Sequence, residues 1–224
     1  DQEQADVEAL YARAAEIKTV IEAEAPKLDN VAAVSNLLAK LQELGVDLSK
    51  EEARRLLDEV KALEYEGYAF EGAEASFYLL AHRLKGGSLP FSVEGFSVFV
   101  HGRGLSTAWA EATVRVRVGE SLQHTAAESP FGPVSALDRA FRKAVLQFYP
   151  ELSEVELTDY KVRILSGQEA GTNSGVRVMV EMKRGEERFA TVGASENILE
   201  ASLKALTDGY AYALLYPVAT PRGA

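Results

Sequence analysis

The sequence predicts an α+β fold: an N-terminal helical subdomain followed by a pseudo-twofold domain of two strand–strand–strand–helix (βββα) units. Three observations carry this. Apolar residues recur about every four positions before Pro90 and every second position after it. The order of three alternating stretches and one helical stretch then occurs twice. An offset of 65 positions carries one helix onto the other, taking Ala136 to Ala201, Ala140 to Ala205 and Phe141 to Leu206.

The helical elements come first. Val7, Leu10, Ala14, Ile17 and Ile21 keep helical spacing, and Pro26 ends the run. A second helix is expected over roughly Val34 to Leu44, with Gly45 placed to stop it. Ser49 and Glu52 form a capping-box pattern ahead of Leu56, Leu57, Val60 and Leu63. A fourth helix is expected from about Glu71 to Arg83, and Gly86, Gly87, Ser88 and Pro90 then read as a linker.

The strands follow. Phe96, Val98 and Val100 alternate with polar residues, and Ala110, Ala112, Val114, Val116 and Val118 alternate with Glu111, Thr113, Arg115 and Arg117. Such alternation marks a half-buried strand with one wet face. A short third strand is expected near Leu122 to Ala127. Pro133 then opens a helix whose apolar stripe is Val134, Leu137, Phe141, Ala144, Val145 and Phe148. In the second unit, Val162 and Ile164, then Val176, Val178 and Val180, then Arg188 to Val192 supply three strands. Ile198, Ser202, Leu206, Gly209, Tyr210 and Ala213 mark its helix. Gly132 and Asn197 fall at the two N-cap positions.

The composition narrows the function. The chain has 224 residues, 47% of them hydrophobic, which suffices for a real core. Its net charge of −10 argues against nucleic acid as the main partner. No stretch approaches the roughly 20 apolar residues that span a bilayer, so no membrane partner is expected. There is no cysteine, which fits a reducing cytoplasm. The chain starts at Asp1 rather than Met, as a segment of something longer would.

Catalytic chemistry is hard to find. His82, His101 and His124 are scattered and form no metal-ligand spacing. Gly102 and Gly104 sit at a strand end, where a hairpin turn explains them. One segment is distinctive. Leu157-Thr158-Asp159-Tyr160 begins the second unit, and Thr191 to Ile198 leads into its helix through Gly193, Ala194 and Ser195. A small-residue turn before a helix exposes backbone N–H groups that can take a carboxylate. Asp159 could pair with an ammonium group, and apolar neighbours could take an aliphatic side chain. The same residues also fit an ordinary cap with close strand–helix packing.

Several ordered motifs match a known family. The runs LTDYKVRIL (Leu157 to Leu165), GTNSGVRVMVEM (Gly171 to Met182) and ATVGASENILEASLKALTDGYAYAL (Ala190 to Leu214) resemble the C-terminal regulatory domain of the isopropylmalate synthase superfamily. YEGYAFEGAEASFYLL (Tyr65 to Leu80) and HTAAESPFGPVSALDRAFRKAV (His124 to Val145) resemble the citramalate synthase branch. SNLLAKLQELGVDLS (Ser35 to Ser49) is similar to the segment that follows the catalytic barrel. The resemblance covers about Ser35 to Pro217; residues Asp1 to about Ala33 match nothing in it.

The resemblance implies a domain plan: a helical lead-in over 1–33, a helical linker over 34–89, a regulatory domain over 90–217 and a tail over 218–224. Repeat one would be 90–150 and repeat two 154–217. It implies a homodimer that binds an end-product amino acid, isoleucine in the citramalate branch or leucine in the sister branch, and inhibits a distant active site. The parent enzyme would be an acyltransferase condensing acetyl-CoA with a 2-oxo acid on a divalent metal. That chemistry belongs to an upstream TIM barrel which this chain lacks, so no catalytic residue, cofactor or metal is expected here. Carried over by position, the effector site would comprise Asp159 as ammonium partner, Tyr160 as pocket wall, Thr191, Gly193, Ala194 and Ser195 as the turn, and Asn197 and Ile198 at the helix start. The loop Glu128 to Gly132 departs from the family's turn, and Phe131 there would alter the pocket or the dimer contact. A dimerisation module without effector binding is the remaining alternative. Three strands before each helix speak against the ACT-type fold, which also senses amino acids.

Overall fold

The computed structural model describes residues 31–105, 107–165 and 174–216, together with 12, 15–17 and 19. Most of the helix expected from Val7 to Ile21 lies outside the described residues. Ala15 to Ile17 and Thr19 are helical, and Ile17 is buried.

Three helices open the described chain: α1 (Val31–Glu43), α2 (Lys50–Tyr65) and α3 (Glu74–Leu84). Gly45 stops α1 with a φ of +77°, where a side chain would be strained, while the Val46 N–H closes back on the Leu41 carbonyl at 2.8 Å. The capping box of α2 forms in both directions. Glu52 N donates to Ser49 Oγ at 3.1 Å, and Ser49 N donates to Glu52 Oε2 at 2.7 Å. Ala53, Leu56, Leu57 and Val60 then bury one stripe of α2.

The next six strands form two antiparallel sheets. Sheet A is β1 (Ser92–Arg103), β2 (Thr107–Val118) and β3 (Ser121–Ser129), in that order. It is followed by α4 (Pro133–Val145). Sheet B is β4 (Val155–Ile164), β5 (Val176–Arg184) and β6 (Glu187–Ser195), followed by α5 (Ile198–Leu215). The predicted βββα duplication is therefore present. Even an irregularity repeats: β1 slips register between Val93 and Gly95, and β4 slips between Leu157 and Asp159. Both are edge strands, where an extra residue is tolerated.

Alternation decides which face each sheet buries. Ala110, Ala112, Val114, Val116 and Val118 of β2 all point into the core, under α4. Val178, Val180 and Met182 of β5 do the same under α5. Phe148 leaves the stripe assigned to it. The helix ends at Val145, so Phe148 falls in the turn beyond and is 37% exposed. Helix α5 lies close on sheet B because of two glycines. A Cβ on Gly193 would overlap the Ala201 carbonyl oxygen and approach the Ala205 nitrogen at 3.0 Å, and one on Gly209 would overlap the Met182 sulfur.

The two units share one core, and α4 touches α5. A buried polar junction ties them. Arg142 of α4 donates to Tyr210 Oη at 3.1 Å and to the Val155 carbonyl at 2.9 Å, while the Tyr210 hydroxyl donates to Asp138. Phe141 stacks on the Tyr210 ring with centroids 5.4 Å apart.

A second core belongs to the helices, and it recruits one residue of sheet B. Leu41, Leu56, Leu57, Phe70 and Phe77 pack around Val192, which points from β6 away from α5. Met179 packs there too. Ser76 Oγ accepts from Val192 N at 3.0 Å, and Arg177 Nε donates to the Gly67 carbonyl at 2.6 Å. The helices thus cap the outer face of sheet B. The matching face of sheet A carries Thr113, Arg115 and Arg117 instead, with Arg115 exposed and Arg117 half-buried beside Glu94.

Candidate functional site

The residues singled out in the second unit fall into two groups. Tyr160, Thr191 and Gly193 stand on the α5 side of sheet B, in register with buried Val180 and Val178. Tyr160 Oη shares a 2.6 Å hydrogen bond with Ser202 Oγ, and Thr191 Oγ1 donates to the Ala205 carbonyl at 2.6 Å. Ser195, Asn197 and Ile198 continue from there into the helix start, and the Ile198 side chain is exposed.

Asp159 and Ala194 lie on the other face. Asp159 is opposite Glu181, and its carboxylate holds Lys161 Nζ at 2.6 Å. That hydrogen bond keeps the Asp159 carboxyl below the usual carboxylate range. Asp159 therefore already carries an ammonium group, one supplied by its own strand. Ala194 is buried opposite Arg177.

The turn into α5 satisfies much of its own hydrogen bonding. Asn197 N donates to Ser195 Oγ at 3.0 Å, and Asn197 Oδ1 accepts from Leu199 N and Glu200 N at 2.9 and 3.2 Å. These are N–H groups that a bound carboxylate would otherwise take. The Glu200 carboxylate does not close a reciprocal box; it turns to Lys204 Nζ at 2.8 Å, which lowers its pKa. In the first unit Gly132 takes the N-cap position with a φ of +105° and supplies no side chain. Phe131 beside it is 80% exposed, with the Arg139 guanidinium 5.7 Å from its ring centroid.

A second feature appears only in three dimensions. The helix-facing sides of both edge strands extend past the helices that should cover them. On β1, Phe96, Val98 and Val100 stand opposite buried Val114, Ala112 and Ala110, yet Val100 is 57% exposed. On β4, Val162 and Ile164 stand opposite Val178 and Val176, yet Ile164 is 71% exposed. Each unit thus carries one apolar strip that nothing among the described residues covers, and surfaces of this kind mark association sites. Phe99 and the Trp109–His101 stack, with centroids 4.2 Å apart, extend the strip of the first unit onto the other face. Alternation in the sequence predicted which side these residues take, but not that the helices stop short of them.

Sequence reading passed over Ser76 and Asp208, and took Ser202 only as part of the helical stripe. The signal for Asp208 was available, as the one acid in α5 beyond its first turn. Its partner was not, because Ser76 is distant in sequence: Ser76 Oγ donates to Asp208 Oδ2 at 2.8 Å. Among the described residues, no three His, Asp or Glu side chains converge as a metal site would require.

A duplicated βββα body with matched uncovered strips, joined to a helical unit through sheet B and α5, defines an association domain. Residues 71–214 match the family described as the LeuA allosteric (dimerisation) domain, and the chain belongs to that family. It is 48% identical over 185 residues to a (R)-citramalate synthase of Geobacter sulfurreducens, covering 80% of this chain and 34% of that protein. It is 44% identical to the (R)-citramalate synthase of Aquifex aeolicus, covering 84% of this chain and 36% of that protein. A 2-isopropylmalate synthase of Methanocaldococcus jannaschii is 27% identical, over 76% of this chain and 32% of that protein. The chain spans about a third of the length of these relatives.

Proposed function

We propose that this chain is the amino-acid-sensing, dimerising end of a citramalate-synthase-type enzyme, and that it mediates end-product feedback inhibition. The observation that favours the citramalate branch is the contrast in identity, 48% to a (R)-citramalate synthase against 27% to a 2-isopropylmalate synthase. On this reading the parent enzyme is a cytoplasmic acyltransferase that condenses acetyl-CoA with pyruvate, and isoleucine is the effector. Leucine is the effector if the pocket follows the sister branch.

The uncovered strips of β1 and β4 support a homodimer, since a second copy would bury Val100 and Ile164. The effector then sits near the start of α5. Tyr160 and Ile198 wall the site, Thr191, Gly193 and Ala194 of β6 lead into it, and Ser195 and Asn197 shape the turn. Asp159 stands on the opposite face of sheet B, so it takes the ligand ammonium by releasing Lys161 and only if the ligand reaches round the edge strand β4. Coupling to a distant active site requires that the effector favour one arrangement of the dimer, typically by about 1–3 kcal/mol. Calorimetric titration with isoleucine, leucine and valine, with mass by light scattering, tests the reading. Saturable isoleucine binding to a dimer is expected. A dimer that binds none of the three leaves association as its role, and the self-satisfied hydrogen bonds of the Asn197 turn favour that second reading.

A further inference from the structure

A cavity of about 310 Å³ opens where the helical unit, α5 and the chain entering β1 meet. It is separate from the start of α5: Asp208, which lines it, follows Ile198 by ten positions, about 15 Å along a helix. Its size is at the lower end of ligand clefts, which run to roughly 300–1,000 Å³. The walls are apolar, built from Leu63, Phe70, Leu80 and Phe91. Three charged side chains reach it: Asp208 and Lys204 from α5, and Arg83 from α3. Asp208 is partly buried; it accepts from the Ser76 hydroxyl at 2.8 Å, and the Arg83 guanidinium is near enough to act on its carboxylate. Lys204 is exposed, and its ammonium holds Glu200 at 2.8 Å and the Ala194 carbonyl at 3.2 Å, partners that a bound carboxylate would share.

We infer that this cavity binds a small zwitterion with an aliphatic body, an α-amino acid whose ammonium meets Asp208 and whose carboxylate meets Lys204 and Arg83. The division of charge makes the argument. A deep carboxylate in an apolar pocket is stabilised most by a cation that enters with its own hydrophobic cover. Two cations on the same cavity would suit an anion on the other end of the same molecule. A neutral hydrocarbon adds nothing to the Ser76 hydroxyl and the Arg83 charge that Asp208 already has, and a simple anion meets Asp208 as a like charge. Burial raises the Asp208 carboxyl to about 6, so at neutral pH it is mostly ionised and able to take an ammonium. The pocket wall comes from both cores, so a ligand there would also hold the helical unit against the second repeat.

Methyl-labelled spectra of the full chain separate this site from the one at the start of α5. Leu63 and Leu80 report the cavity; Ile198 reports the other. Leucine is the probe, with isoamylamine and 4-methylpentanoate as the amine-only and acid-only controls. Leucine should shift the Leu63 and Leu80 methyls saturably, with the two controls weaker by about tenfold or more. Asp208→Asn, which keeps an acceptor for Ser76, should weaken leucine by about tenfold or more at these methyls. Tyr160→Ala should leave them unchanged. The inference is overturned if the Leu63 and Leu80 methyls do not respond, or respond equally in Asp208→Asn. Equal binding of isoamylamine and leucine overturns the zwitterion. A shift at Ile198 alone supports the effector site and rejects this one.

Discussion

Tyr210 donates its hydroxyl to Asp138 across the boundary between the two units, a bond that neither unit makes alone. The same oxygen accepts from Arg142 at 3.1 Å, so one phenol completes a polar junction inside an apolar core. Burial raises both the Asp138 carboxyl and the Tyr210 hydroxyl, and the Arg142 charge pulls both back down. Tyr210→Phe removes the bridge and leaves Asp138 facing a ring edge. We expect a loss of about 1–3 kcal/mol in urea unfolding, as for a buried partner left unmade. An unchanged midpoint would show that the junction is ornamental.

Gly193→Val tests the close approach of α5 to sheet B. The added carbons meet the Ala201 carbonyl and the Lys204 Cβ, the latter 2.9 Å from where a Cβ would sit. Overpacking of this kind costs about 1–3 kcal/mol or more. Thermal unfolding should show the drop; Gly95→Val, where a Cβ meets nothing within 4 Å, is the matched control and should move far less.

Asp208 makes stability depend on pH. Its carboxyl rises from 3.8 to about 6 on folding. Between those values the folded chain binds more protons than the unfolded one, so this group's contribution is complete below pH 3.8 and is lost as pH rises through about 6. Asp208→Asn should therefore gain on the parent between about pH 4 and about pH 7.5, by on the order of 2–3 kcal/mol. Parallel pH profiles for the two chains would contradict the raised carboxyl.

The dimer surface can be broken without unfolding the chain. Val100→Lys and Ile164→Lys add charge to strips that are exposed in the single chain. We expect monomeric mass by light scattering with an unchanged circular dichroism spectrum. A persisting dimer would move the interface elsewhere.

Asp159→Ala separates two roles for that carboxylate. If it exchanges Lys161 for a ligand ammonium, effector binding should weaken by about tenfold, as for loss of a charged hydrogen bond. If binding is unchanged in calorimetry, Asp159 serves only its own lysine.

The sequence made the duplication legible because β2 alternates without a break and because Ala136 and Ala201 occupy matching helix positions. Local signals such as the Ser49–Glu52 box and the cap at Asn197 were legible for the same reason: their partners lie within one helical turn. Phe148 misled because period alone does not say where a helix ends. The site was less legible. Asp159 and Tyr160 are neighbours in sequence, but a strand sends them to opposite faces. Ser76 meets Asp208 only after two cores have docked. The length of α4 and α5 relative to β1 and β4, which leaves Val100 and Ile164 bare, is a property of packed layers and is written in no single element.

Among the described residues, the helical unit rests on sheet B and leaves the Thr113–Arg117 part of the outer face of sheet A uncovered. Two copies of one ancestral unit have therefore come under different rules. On β6, Val192 and Ala194 are buried, whereas Arg115 and Arg117 on β2 pair with Glu94 on a face that no described helix covers. Across related chains, substitutions should accumulate on that face of the first unit and be scarce on the second, so the duplication ages at two different rates.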